Sequence, residues 1–141
     1  MHFSVDPAGP MPPSEQLADQ VRFAVASGRL AAGDKLPSLR GLAAEVRVNP
    51  NTVGRAWREL EREGVLEARR GDGMYVAAEA HGACREAVSN TLAERIGRAV
   101  AEARAAGLSA ADVLELVETG LAAWQQTFER NEQDSQTERK S

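Results

Sequence analysis

Residues 50–63 carry side chains whose types and spacing suit hydrogen bonding to nucleic-acid bases. At about 100° per residue on a helix, Asn51, Arg55 and Arg58 fall on one side, and Arg62 extends it by one turn. Arginine pairs well with guanine edges and asparagine with adenine edges. The three glutamates of the segment fall on its flanks, so the pattern predicts a positive face suited to the major groove. We call these four residues the basic face.

Solvated arginines on an ordinary surface helix would give the same pattern, so other features must decide. Thr52 lies in the first turn, where its hydroxyl and free backbone N–H groups can bind a phosphate. Arg40 projects from the preceding helix, and Arg69 and Arg70 lie where a hairpin can reach the adjacent groove. Gly54 lacks a side chain, so we expect the helix backbone to approach DNA closely there. These features favour DNA binding.

Two further helices and a hairpin are needed to position the basic face. A first helix is predicted over 14–27, a second begins after the cap residue Ser38, and the third begins after Asn49. The buried side of the third helix is apolar and consists of Val53, Ala56, Trp57 and Leu60. The turn-rich segment 65–77 predicts a β-hairpin. This order of elements is that of a winged helix-turn-helix.

The C-terminal part of the chain contains two amphipathic segments joined at Gly107. Helices are predicted from about 85 to 106 and from 110 onward, and Ser109 with Asp112 resembles a capping box. Both apolar stripes are longer than one antiparallel contact needs, so we predict a four-helix dimer core. The predicted dimerisation residues are Val88, Leu92, Ile96, Val100, Leu114, Val117, Leu121, Trp124 and Phe128.

The sequence therefore predicts a mainly α fold with a small β-hairpin. An N-terminal winged helix-turn-helix is expected over 1–79 and a two-helix dimerisation module over 80–130. The polar tail, 131–141, is expected to be disordered. Residues 78–83 are expected to form a linker between the first two parts.

Composition sets limits on the other classes of function. The net charge of −4 gives no overall attraction to phosphate, so DNA binding must come from local arrangement. No apolar run is long enough to span a membrane, no signal peptide is evident, and a lone cysteine suits the reducing cytoplasm. His81 and Cys84 supply at most half a zinc site, so no metal is predicted.

An enzyme is not predicted either. The only lysines are Lys35 and Lys140, and no nucleophile–base or carboxylate pair stands out. The expectation is therefore a protein without catalytic residues and without a cofactor. Trp124 and Phe128, one helical turn apart, are expected to pack in the dimer interface rather than to line a ligand pocket.

An ordered series of residues resembles the DNA-binding domain of the GntR family of bacterial transcription regulators. The matching residues are Gly28, Arg29, Leu30, Gly33, Asp34, Lys35, Leu36, Pro37, Ser38, Leu39, Arg40, Leu42, Ala43, Val48, Asn49, Pro50, Asn51, Thr52, Val53, Leu60, Glu63, Gly64, Gly71, Asp72, Gly73, Met74, Tyr75 and Val76. The sequence at 49–53, the short C-terminal part and the link at 107–109 resemble the YtrA subfamily. That resemblance implies dimerisation through the C-terminal helices and, often, repression of transporter operons near the regulator's own gene.

The resemblance also implies roles for particular residues. It makes Arg40 a DNA contact, places Asn51 and Thr52 at the end of the helix that enters the groove, and gives Gly71 a backbone role in the hairpin. The predicted DNA-binding set is Lys35, Ser38, Arg40, Asn49, Asn51, Thr52, Arg55, Arg58, Arg69, Arg70 and Gly71. Pro50 and Gly54 stand where many family members have base-reading arginines, so those two positions cannot read bases here.

These patterns predict a sequence-specific transcriptional regulator that binds a two-fold operator as a homodimer. Repression is the favoured mode of regulation. Its partners would be double-stranded DNA and a second copy of the chain, with no membrane partner. The alternative is a winged-helix module that associates with DNA or protein without a specific operator. The operator, the regulated genes, repression against activation, and the existence or identity of a small-molecule effector stay open.

Overall fold

The elements of the computed structural model, which describes residues 1–140, are five α-helices and a two-stranded antiparallel sheet. In chain order they are α1 (Pro13–Ala26), α2 (Leu39–Val46), α3 (Pro50–Arg62), β1 (Leu66–Arg69), β2 (Gly73–Val76), α4 (Ala80–Ala105) and α5 (Ala110–Lys140). The chain divides into two units, Met1–Leu92 and Ala93 onward. The prediction of a mainly α fold with a small hairpin is confirmed.

Helix boundaries in the first unit follow the capping residues. The Ser38 side chain accepts a hydrogen bond from the Gly41 backbone N–H at 3.1 Å, and Asn49 Oδ1 accepts one from the Asn51 N–H at 2.8 Å. Gly64 follows α3 with a φ of 77°, a left-handed conformation that glycine adopts without strain. Two short helices therefore end and restart within a few residues, which makes the helix-turn-helix.

The first unit has one apolar core, built by α1, α2, α3 and the hairpin. Its fully buried large side chains are Leu17, Val21, Val25, Leu42, Val53, Leu60, Leu66, Val76 and Cys84. The N-terminal arm adds Phe3, whose ring meets Trp57 edge-on at a centroid distance of 6.2 Å. The Gln20 side chain holds this arm by hydrogen bonds to both backbone groups of Ser4. The arm thus covers the inner side of α3.

The β1–β2 hairpin, or wing, has a register that separates two faces. Leu66 pairs with Val76 on the core side, whereas Glu67 pairs with Tyr75 on the outer side. At the tip, the Asp72 N–H donates to the Arg69 carbonyl at 2.9 Å. Gly71, the third residue of this turn, has a φ of 75°, as a type II turn requires.

The linker predicted over 78–83 is wrong, because α4 already begins at Ala80. Ala80 and Cys84, one helical turn apart, are both fully buried in the core of the first unit. His81 Nδ1 lies 3.0 Å from the Val25 carbonyl oxygen of α1. Burial raises the pKa of the Cys84 thiol. The buried residues here, Ala80 and Cys84, are small and form no recognisable apolar stripe, so the sequence pattern was that of a linker.

In the second unit, the capping box predicted before α5 is confirmed. The Ser109 N–H donates to Asp112 Oδ2 at 2.9 Å, and the Asp112 N–H donates to Ser109 Oγ at 3.1 Å. These hydrogen bonds lower the pKa of the Asp112 carboxyl. Within residues 1–140, no helix combines the length and the apolar composition that a membrane span requires.

The polar tail, predicted to be disordered over 131–141, differs in the structure as far as residue 140, because α5 continues to Lys140; Ser141 lies outside the described residues. After Gly120 the chain has no further glycine and no proline, and its commonest polar residues are Gln and Glu. These residues are polar, yet they favour a helix. A polar composition alone is therefore not a sufficient reason to predict disorder.

Replacing Ala80 by leucine tests whether the start of α4 belongs to the core. Ala80→Leu should lower the free energy of unfolding by about 1–3 kcal/mol, because a fully packed site must admit a larger side chain. Ala83→Leu is the matched control, because Ala83 is exposed in the same turn. Denaturant unfolding measures both; equal stability of the two variants would contradict the buried position of Ala80.

Candidate nucleic-acid interface

The basic face lies on the outer side of α3, as the helical spacing predicts. Burial of the opposite side, including Val53, Trp57 and Leu60, leaves its four residues exposed. Arg55, Arg58 and Arg62 line one shallow groove together with Glu61. No ion pair within residues 1–140 occupies these three guanidinium groups. They remain available to an anionic partner.

Arg22 of α1 pairs with two of the three glutamates of residues 50–63. Its guanidinium donates to both carboxylate oxygens of Glu63, at 3.0 and 2.6 Å, and lies 3.6 Å from Glu59. It also bonds Asp19 at 2.8 Å. The hydrogen bond to Glu63, more than any other contact, raises the pKa of Arg22. These acids are thereby drawn towards α1 and away from the basic face.

Sequence reasoning missed Arg22. Its spacing from Asp19 suggests only a local pair on α1, whereas Glu63 lies 41 residues away. Only the packing of α1 against α3 brings them together. The glutamates at 59, 61 and 63 could be seen in the sequence, but the pairing of two of them with Arg22 could not.

The role predicted for Gly54 is wrong. Gly54 is buried, and a Cβ there would lie 3.2 Å from a guanidinium nitrogen of Arg58 and 3.9 Å from Leu39 of α2. The missing side chain therefore makes room for Arg58 to lie across α3. It does not open the helix backbone to DNA.

The start of α3 also differs in part from the prediction. The Asn51 N–H donates to the Asn49 side chain, and the Thr52 N–H donates to the Asn49 carbonyl at 2.9 Å. Both groups expected to be free for a phosphate are therefore satisfied within the chain. The Thr52 hydroxyl and the exposed Asn51 amide remain as the polar groups of this turn.

On α2, Ser38 and Arg40 have different roles. The Ser38 hydroxyl caps the helix through Gly41, so its first contribution is structural. Arg40 is exposed in the first turn. Within the described chain, 1–140, no hydrogen bond or ion pair joins Arg40 to the basic face. The structure thus places Arg40 as a separate positive charge beside α3.

The wing contains a network of charged and aromatic side chains. Lys35 Nζ lies 3.0 Å from Asp72 Oδ1, and the Tyr75 hydroxyl donates to the other oxygen of Asp72. The Arg69 guanidinium lies over the Tyr75 ring, 3.8 Å from its centroid, and 3.5 Å from Glu67. The alternation of β2 places Tyr75 on the outer face, a signal the sequence offered.

Asp72 is the centre of this network. The Tyr75 hydroxyl and the Lys35 ammonium lower the pKa of the Asp72 carboxyl. In return, Asp72 raises the pKa of Lys35 and of Tyr75. The carboxylate and the ammonium group are therefore both charged at neutral pH. Arg70, at the exposed tip of the turn, has no recorded partner within residues 1–140.

The residues predicted to form a dimer are on the surface of the single chain. Val88 is half-buried and the other eight are exposed. Trp124, at 64% exposure, stacks on Phe128 with a centroid distance of 5.2 Å. No cluster of three or more potential metal ligands occurs in the part of the chain that the structure describes.

Comparison with known proteins identifies similar regulators. The family model "Bacterial regulatory proteins, gntR family" matches residues 13–76. Over 106 residues the chain is 37% identical to the HTH-type transcriptional repressor YtrA of Bacillus subtilis (strain 168), covering 75% of this chain and 82% of that protein. These relatives are transcription regulators, which agrees with the prediction that the chain is not an enzyme.

Two solved structures extend the likeness to the fold. A transcriptional regulator from Oenococcus oeni superposes with a TM-score of 0.68 at 28% identity, covering 83% of this chain and 97% of that one. YtrA from Sulfolobus acidocaldarius, a GntR-family transcription factor, gives a TM-score of 0.53 at 35% identity, with 69% and 95% covered. Both structural matches cover a larger part of this chain than the family model, which matches only residues 13–76.

Replacing Arg22 by methionine tests its role beneath the interface. Arg22→Met should lower the free energy of unfolding by about 0.5–1.5 kcal/mol, because it removes charged hydrogen bonds whose carboxylates are 29% and 37% exposed and therefore partly screened by solvent. Arg29→Met is the control, because Arg29 is exposed and, within residues 1–140, has no ion pair and a single hydrogen bond, to Ser27. Thermal or denaturant unfolding compares the two variants; an Arg22→Met variant as stable as Arg29→Met would refute the assignment.

Proposed function

Since this chain belongs to the GntR family of bacterial regulatory proteins, and within it to the YtrA subfamily, we propose that it represses transcription by binding a two-fold operator as a homodimer. It is a transcriptional regulator with an N-terminal winged-helix DNA-binding domain. Repression, the operator and the dimer are the proposed parts. DNA as the partner also implies action in the cytoplasm.

The observation that carries the proposal is the exposed basic face on α3. Within residues 1–140 no ion pair joins Arg55, Arg58 or Arg62, and Arg22 pairs with two nearby carboxylates, those of Glu59 and Glu63. A helix-turn-helix places such a helix in the major groove. Arg55 and Arg58 would hydrogen-bond base edges, and Asn51 would act at the groove-entering end.

The surrounding residues would position the domain on the DNA backbone. Arg40 and the Thr52 hydroxyl would contact phosphates next to α3. Arg69, Arg70 and the Gly71 backbone would contact DNA from the wing. Ser38 and Asn49 would act mainly by fixing the helix starts that carry these groups. Lys35 differs from them because its ammonium group is already paired with Asp72.

The dimer is inferred from the uncovered apolar side of α5. Leu114, Val117, Leu121, Trp124 and Phe128 recur at intervals of three and four residues, which is the spacing of a coiled-coil seam. Apolar surface of this extent usually marks an interface with a partner. A second copy with the same stripe would complete a four-helix core and link two DNA-binding units. Their half-sites would then lie about 10 bp apart, or a multiple of that spacing.

Substituting arginines on two helices separates base reading from phosphate contact. Arg55→Ala and Arg58→Ala should each cost about 1–3 kcal/mol on the cognate site and relax preference at one base pair. Arg40→Ala should instead weaken binding to every sequence and reduce the salt slope by about one.

Selection of bound duplexes from a random pool, followed by salt titration on the selected site, measures both effects. A palindromic consensus supports an operator, whereas uniform coating of DNA supports the module without an operator. If the Arg55 and Arg58 variants keep wild-type affinity and base preference, the basic face does not read DNA.

A charge placed in the apolar side of α5 tests the dimer without disturbing the single chain. Leu121 is 63% exposed, so Leu121→Glu should leave the chain folded. It should weaken dimerisation by about 3 kcal/mol or more, over a hundredfold, because a charge would be buried unpaired. Gln126→Glu adds the same charge on the other side of α5 as a control. Sedimentation of both at micromolar concentration decides; an unchanged dimer in Leu121→Glu would exclude this interface.

A further inference from the structure

The Lys35–Asp72 pair joins two parts of the first unit that face the same side. Lys35 precedes α2, and Asp72 lies in the turn of the wing, 37 residues later. Asp72 is an acid at the tip of an element otherwise rich in arginine. An acid in this position would repel phosphate, so its contacts determine how the wing meets DNA.

The backbone on both sides of the pair is fixed by hydrogen bonds. The Leu36 N–H donates to the Met74 carbonyl at 2.8 Å, and the Val76 N–H donates to the Asp34 carbonyl at 2.9 Å. The segment that carries Lys35 therefore runs along β2 as an additional edge. Its side chain crosses Gly73, where a Cβ would lie 3.2 Å from Lys35 Cε.

Both oxygens of Asp72 are engaged in this arrangement. Lys35 Nζ binds one oxygen at 3.0 Å and the Tyr75 hydroxyl binds the other. The Tyr75 ring is in turn covered by Arg69. The backbone hydrogen bonds fix the spacing between the two segments, so that the half-exposed Lys35 and Asp72 side chains meet without any movement of the backbone. A phosphate would have to displace a carboxylate that is already well placed.

We propose that Asp72 keeps Lys35 from contacting DNA phosphates and so removes one phosphate contact from the wing. This inference rests on the proposed DNA binding, and it replaces the expectation that Lys35 is a DNA contact. Asp72 is then a determinant of specificity, because phosphate contacts act on all sequences alike. With fewer of them, a larger share of the binding energy depends on α3.

The number of phosphate contacts is measured by the slope of log affinity against log salt concentration. A random-sequence duplex is the probe, and the full chain is used throughout. Asp72→Asn, which keeps an acceptor for Tyr75, should steepen the slope by about one. Its affinity should fall about threefold more than that of the wild type between 50 and 200 mM salt.

Lys35→Met should leave the slope at the wild-type value, because Lys35 contributes no phosphate contact. The double variant should return to the wild-type slope, since the freed lysine is absent. Glu79→Gln is the matched control: it removes one exposed negative charge beyond β2 and should leave the slope unchanged.

The outcomes separate the two levels of the proposal. Failure of the wild-type chain to bind the duplex at low salt would overturn the proposed function itself. Binding with a shallower slope in Lys35→Met would show that Lys35 already contacts phosphate, and would overturn only this inference. An equal change in Asp72→Asn and Glu79→Gln would show a general effect of charge, with the same consequence.

Discussion

Burial of the apolar side of α3 is the constraint on which the rest of the first unit depends. Trp57 and Leu60 leave water only if α3 lies against α1 and under the N-terminal arm. Once that side is inside, the helical repeat fixes which side chains face outward. The direction of the basic face is therefore a consequence of apolar packing, and the charged residues themselves need contribute little to it.

The distribution of charge then follows from the same packing. α1 brings Arg22 against α3, and the wing brings Asp72 to Lys35. In the first case a cation neutralises acids, and in the second an acid neutralises a cation. A protein with a net charge of −4 can thus present locally positive surface, because pairing inside the fold decides which charges remain exposed.

The sequence predicted what local signals specify. Ser38, Asn49 and Ser109 marked helix starts because capping is a contact of a few residues, and the apolar repeat of α3 predicted its buried side. The sequence did not predict the pairing of Arg22 with Glu63 or the position of Gly54, because both depend on contacts between distant segments. The start of α4 was missed because Ala80 and Cys84 are small. The helical tail was missed because polar residues occur both in helices and in disordered segments. The predicted DNA-contacting and dimerisation residues remain predictions until binding is measured.

The exposed stacked pair of Trp124 and Phe128 has a consequence for dose response under the proposed dimer. If chains are largely separate at low abundance, occupancy of a two-site target grows with the second power of chain concentration. Doubling the supply of protein would then raise occupancy about fourfold until dimers predominate. The affinity of the dimer, to which these two exposed rings would contribute, would set the abundance at which control of the gene switches from weak to nearly complete.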